Sequence, residues 1–186
     1  MKERLSLKRI TIAGLLAAAV CAASLVSVPI PTPIDNTRLH LGNIMCILSG
    51  LLMGGFLGGC SAGIGSFFFD LLNPEYIASA PFTLVFKFFI GFIAGSIAFA
   101  GGKNGRNTAS NILGGALGSV AYVILYLGKS YIENRLVYNL DIDTSLAVLA
   151  PKAIASLANG VIAVIVAVPL AAFIRAAMKR ANLSLQ

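Results

Sequence analysis

Tryptophan is absent from the 186-residue chain, histidine occurs once, and only 11% of residues are charged. Each shortage excludes something. A single histidine, His40, cannot build a His-rich metal site. Cys21, Cys46 and Cys60 sit inside apolar stretches without CxxC or ligand spacing, and read as small packing residues in helices. No metal or cofactor is expected. A soluble domain is roughly a quarter charged, so this chain has too little polar surface to cover a water-soluble globule. Nucleotide-hydrolysis motifs are missing as well. Gly128, Lys129 and Ser130 imitate the end of a phosphate loop, but Val123 stands where its first glycine is required. Neither a nucleophile elbow nor HExxH occurs, so catalysis is unsupported.

What is abundant is apolar: 58% of residues, with a mean hydropathy of +0.88. Runs long enough to cross lipid cover residues 10–30, 80–100, 108–128 and 146–174, with a glycine-rich stretch at 41–72. That stretch has 32 residues, too long for one crossing and short for two. Its centre, Met53-Gly54-Gly55-Phe56-Leu57-Gly58-Gly59, suits a tight reversal. Two short spans, 41–55 and 57–72, are therefore expected, able to tilt or thin the bilayer. The predicted fold is an all-α membrane protein: one domain, 1–186, of six transmembrane helices with both termini cytoplasmic.

Charge placement agrees with this count. Lys2, Arg4, Lys8, Arg9, Lys103, Arg106, Arg175, Lys179 and Arg180 fall on one side, with Glu3 the sole acid there. Such Lys/Arg bias orients membrane proteins with the basic side inward. The net charge of +7 is thus explained by topology, and no nucleic-acid partner is expected. The basic N-terminus before an apolar run also resembles a signal peptide, with Ala22-Ala23-Ser24 as a cleavage site, but the run is long for that role.

Small residues recur every fourth position: Ala13 with Ala17, Gly14 with Ala18 and Ala22, Gly50-Gly54-Gly58, Gly55-Gly59-Gly63, Gly91 with Gly95, and Gly114 with Gly118. This spacing lets helix backbones approach closely. Most pairs suit internal packing. The first span is small on nearly all faces, which makes it a candidate for contact with another protein.

Polar groups in or near the spans are the candidate site, because burying them in lipid is costly. They are Arg38, His40, Asn43, Asp70, Lys87, Tyr126, Lys152 and Asn159. With six spans all fall in the outer half or near mid-membrane, as an outward-facing polar pocket lined by aromatics would require. Each has a plainer role too. Lys87 snorkels or pairs with Asp70, Asn159 bonds a neighbouring helix, and Lys152, Arg38, His40 and Tyr126 mark the interface.

Four stretches in order resemble the substrate-binding S component of an energy-coupling factor (ECF) vitamin transporter, over almost the whole chain. They are Leu7-Lys8-Arg9-Ile10 with the alanine-rich run to Ala19, residues 38–43 running into 48–55 and 63–72, Lys87 to Gly95, and Pro151-Lys152-Ala153 with Asn159 downstream. The resemblance implies a micronutrient bound from outside, in a pocket of the first outer loop and the outer halves of helices four to six. It implies as partners a transmembrane coupling protein and two cytoplasmic ATPases. Ala13 and Ala17 match the family's AxxxA contact with the coupling protein, and the setting is a bacterial or archaeal cell membrane.

The substrate does not follow from the resemblance. The absence of Trp excludes a Trp-lined pocket for a large flat ring. Lys87, Lys152 and Arg38 hint at an anionic ligand, pantothenate or folate rather than thiamine, unless Asp70, Asp141 and Asp143 cancel them. A stand-alone ion-coupled carrier is the alternative, but it needs acidic residues deep in the spans. A membrane enzyme built on Asp70 and His40, or a small-residue-rich channel or assembly protein, has less support.

Overall fold

The computed structural model describes residues 6–31 and 36–181. Lys2, Glu3 and Arg4 of the N-terminal cluster, and Pro33 between the predicted spans 10–30 and 41–55, lie outside the described residues. Six α-helices carry the fold: α1 (Leu7–Leu25), α2 (Gly42–Met53), α3 (Gly55–Leu71), α4 (Ala80–Phe99), α5 (Thr108–Leu136) and α6 (Ile142–Arg180). Four of them, α1, α4, α5 and α6, are long and apolar enough to cross a membrane, whereas α2 and α3 are shorter apolar helices. Helix starts follow local chemistry. Ser6, Asn107 and Asp141 accept the backbone N–H three residues on at 3.3, 2.9 and 3.1 Å, capping α1, α5 and α6.

The expected reversal in the glycine-rich stretch is made by one residue. Gly54 adopts φ 83°, a left-handed value that a side chain would strain. Beyond it α3 folds back on α2. A Cβ on Gly58 would collide with the Gly50 backbone, and Cys46 Sγ lies 3.7 Å from Ser66 Oγ. Glycine contacts then tie α4 to this hairpin and to α5. Gly91 abuts Gly58, Gly95 abuts Gly54, and Cβ atoms on Gly114 and Gly118 would lie 2.6 and 2.7 Å from the carbonyl oxygens of Ala94 and Ile90. The apolar core centres on α2, with Ile47, Leu48 and Leu51 at 0–1% exposure. Ile90, Ala94 and Ala98 of α4 and Ala163, Ala167 and Ala171 of α6 pack around it.

Where the sequence predicts one span over 10–30, the chain does something else. Helix α1 ends at Leu25, and Ser27–Pro31 (β1) pairs antiparallel with Asn36–His40 (β2). Pro29 and Pro31 explain both facts. Neither has an N–H to continue a helix, and each tolerates only strand positions whose N–H side is unpaired. Pro29 opposite Arg38 is therefore a non-hydrogen-bonded pair. The polar backbone groups of Arg38 and His40 consequently turn away from β1, towards α6.

Helices α5 and α6 also run beyond their apolar spans. Helix α5 continues to Leu136, so the stretch between the predicted spans 108–128 and 146–174 begins as helix, and α6 contains Pro151 and Pro169. At the C-terminal end of α6, Arg175 donates to the carbonyl oxygens of Gly105 and Leu51.

Candidate functional site

One end of the bundle collects the C-terminal ends of α1, α3 and α5 and the N-terminal halves of α2, α4 and α6. A cavity of about 110 Å³ lies there. Helical spacing brings its wall together. Ser66, Phe69 and Asp70 come from α3, Thr83, Phe86 and Lys87 from α4, Tyr122, Tyr126, Lys129, Ser130 and Glu133 from α5, and Ser156 and Asn159 from α6. Strand β2 adds Thr37, Arg38 and His40, and the α3–α4 connection adds Tyr76 and Ser79.

Lys87, 4% exposed, is the most buried cation of the cavity wall. Its ammonium donates to Asn43 Oδ1 and lies 4.0 Å from the centre of the Tyr122 ring. A neutral amide and an aromatic face thus touch the ammonium directly, while Asp70, in the same wall, acts on it from farther away. Arg38 lies over two aromatic rings, 3.8 Å from the Tyr76 centroid and 5.1 Å from that of Phe69. Lys129 forms a 2.6 Å ion pair with Glu133 and donates to Ser79 Oγ at 3.1 Å. Tyr122 and Tyr126 stack with centroids 5.7 Å apart and planes 6° from parallel. Thr37 lies 3.4 Å from the Tyr126 hydroxyl.

Asn159 joins α6 to β2. Its Nδ2 donates to the Arg38 carbonyl at 2.8 Å, and its Oδ1 accepts the His40 N–H at 3.0 Å. The amide thereby completes the free edge of β2 like a third strand. His40 Nδ1 in turn accepts the Gly42 N–H at 3.1 Å, which leaves the proton of a neutral ring on Nε2.

Of the residues singled out from sequence, Arg38, His40, Asp70, Lys87, Tyr126 and Asn159 meet at the cavity. Asn43 is buried behind Lys87 and acts on the cavity through it. Lys152 is buried at 3% exposure but is not part of the lining. Sequence reading missed Phe69, Tyr76, Phe86, Tyr122, Lys129 and Glu133. The signal for three of them was present: Tyr122, Lys129 and Glu133 lie at helical intervals from Tyr126, once α5 is allowed to extend past 128. On α1, Ala17 is buried against Gly65 of α3, and the Ala13 carbonyl accepts Ser61 Oγ at 2.8 Å. Gly14, Ala18 and Ala22 are exposed, with nothing within 4 Å of a Cβ placed on Gly14.

The cavity is suited to holding a flat solute by its faces while cations and hydroxyls address its edges. The family model described as ECF-type riboflavin transporter, S component, matches residues 4–176. The chain is also 34% identical, over 105 residues, to an uncharacterized protein in a gap 3′ region of Pyrococcus woesei, covering 56% of this chain and 67% of that protein. The chain therefore belongs to the ECF-type riboflavin transporter S-component family, and it is a substrate-binding, non-enzymatic subunit of a multi-pass membrane transporter.

Proposed function

We propose that the chain captures riboflavin, or a closely similar flat heteroaromatic solute, from outside the cell membrane in the cavity around Lys87. The observation that carries this reading is the aromatic enclosure: Phe69, Tyr76, Phe82, Phe86, Tyr122 and Tyr126 surround a buried ammonium. Tyrosine and phenylalanine supply ring faces without tryptophan, so the missing residue type does not bar a flat ligand. The expected anionic preference weakens here. Arg38, Lys87 and Lys129 are balanced in part by Asp70 and Glu133, which suits a neutral polar solute better than pantothenate or folate. The cavity is smaller than the roughly 300 Å³ at which ligand pockets usually begin, so loading requires its walls to part.

In this reading all six helices cross. At 1.5 Å per residue α2 and α3 span about 18 and 26 Å, less than the hydrocarbon core, so the bilayer thins around them or other helices shield them. Helix direction alternates, so the start of α1 and the end of α6 lie opposite the cavity, alongside Arg106, Arg175 and Lys179. That basic end faces the cytoplasm. The coupling protein and two ATPases act from there and supply the energy. With Ala13 and Ala17 engaged by α3, the coupling protein docks on the outward row Gly14, Ala18 and Ala22. A self-sufficient ion-coupled carrier is less well served, because the buried carboxylate, Asp70, stands at the end of α3 rather than midway along a helix.

The test is to purify the protein without added ligand, extract any bound small molecule and identify it by mass spectrometry, then titrate emptied protein with riboflavin by fluorescence quenching. Saturable quenching at micromolar or lower concentration supports the reading. No retained flavin and no quenching would remove riboflavin as the substrate.

A further inference from the structure

The geometry points to a binding site for an anionic phospholipid of the phosphatidylglycerol type, in the groove between α5 and α6 at the end opposite the cavity. Two adjoining hollows form this groove. One, of about 550 Å³, is lined by Arg106, Asn111, Ile112, Val168, Ala172 and Arg175 among others. The other, of about 240 Å³, is walled by apolar residues and Ser119, and shares Val164 and Ile165 with the first. The groove is thus basic at one end and apolar along its length, the distribution of a lipid with a charged head and an acyl chain.

Three observations fix the headgroup. Arg106 and Arg175 line the basic end with no carboxylate among the lining residues, so two like charges stand together without a counter-ion in the wall. Helix α5 begins at the same place, and the positive end of its dipole adds to the attraction for an anion. Asn111 is 3% exposed and lines the hollow. Its Nδ2 donates to the Gly105 carbonyl at 2.8 Å, while its Oδ1 has no hydrogen-bond partner among the described residues. A buried acceptor calls for a donor. A phosphate alone answers Arg106 and the charge of Arg175, whose guanidinium already donates to the Gly105 and Leu51 carbonyls, but gives Asn111 little, whereas a glycerol headgroup supplies hydroxyl donors beside the phosphate. The apolar continuation past Val164 towards Val123 and Leu157 has no use for a free anion and fits a chain. This site is separate from the riboflavin cavity and does not depend on which solute that cavity takes.

The experiment is native mass spectrometry of the purified chain with equimolar dioleoyl-phosphatidylglycerol and dioleoyl-phosphatidylcholine. Phosphatidylglycerol adducts should exceed phosphatidylcholine adducts roughly tenfold, because only phosphatidylglycerol combines a net negative charge with hydroxyl donors, whereas the choline ammonium repels the arginines and donates nothing to Asn111. Arg106→Gln, at an exposed position, should remove most of that preference, and Ala172→Phe, which fills the groove, should lower adducts of both lipids. Wild-type thermal stability in each variant serves as the folding control. Equal adduct levels for the two lipids overturn the proposal, and so does an undiminished phosphatidylglycerol preference in Arg106→Gln. If millimolar inorganic phosphate displaces the lipid fully, the groove is a free-anion site and the lipid assignment fails.

Discussion

The side-chain amide of Asn159 donates to the carbonyl oxygen of Arg38 at 2.8 Å, although 121 residues separate them in sequence. With the return bond from the His40 N–H, this pairing sets where β2 stands over the cavity. It depends on the prolines of β1, whose register leaves that edge of β2 unpaired. Asn159 is thereby a positioning residue.

Asn159→Ala should release the hairpin. Two backbone groups lose partners, at about 1–3 kcal/mol for each group left unsatisfied. Riboflavin affinity should fall roughly tenfold or more, and the His40 amide should exchange faster with deuterium. Unchanged exchange at His40 would show that β2 is held by something other than α6.

Lys87 and Asn43 separate binding from folding. Lys87→Met leaves Asn43 Oδ1 buried without its donor, so melting temperature and riboflavin affinity should both drop. The double variant Lys87→Met with Asn43→Leu removes both polar partners, which can be nearly neutral for stability. Thermal stability should then recover while affinity does not. Recovery of both would make Lys87 a purely structural group.

Glycines of different helices should differ sharply in tolerance. Gly50→Ala drives a Cβ into the Gly91 carbonyl and should cost about 1–3 kcal/mol or more through overpacking. Gly14→Ala meets open space and should leave the melting temperature unchanged. Equal melting temperatures for the two variants, measured in the same detergent, would contradict the close α2–α4 packing.

The same logic locates the partner. Ala18→Trp should abolish co-purification with the coupling protein and leave riboflavin affinity intact. Ala17→Trp, directed into α3, should instead lower the yield of folded protein. Retention of the complex by Ala18→Trp would place the docking surface on another face.

Much of this architecture could be read from residue type alone. The helices declared themselves through apolar run length, and the reversal at Gly54 through arithmetic on a stretch too long for one crossing. Arg38, Asp70, Lys87, Tyr126 and Asn159 stood out because polar groups in lipid are costly. The hairpin escaped notice since Ser27 to Pro31 is apolar, and hydropathy does not distinguish a strand from the end of a span; only Pro29 and Pro31 carried the signal. Aromatic walls such as Phe69 and Phe86 were invisible for a related reason, as phenylalanine in a membrane helix is equally at home facing lipid. Lys152 looked similar to Lys87 in sequence, and only three-dimensional placement separates the cavity wall from its surroundings.

Asn159 and Arg175 belong to the same helix, sixteen positions and thus about 24 Å apart along its axis. One grips the strand beside the cavity, and the other clasps the end of α2 and the turn before α5. A rod fastened at its middle and near one end carries displacement like a lever. A push on the first grip either reaches the far clasp or is absorbed by a bend between them, and Pro169, where the helical ladder lacks a donor, is the weakest point for such a bend.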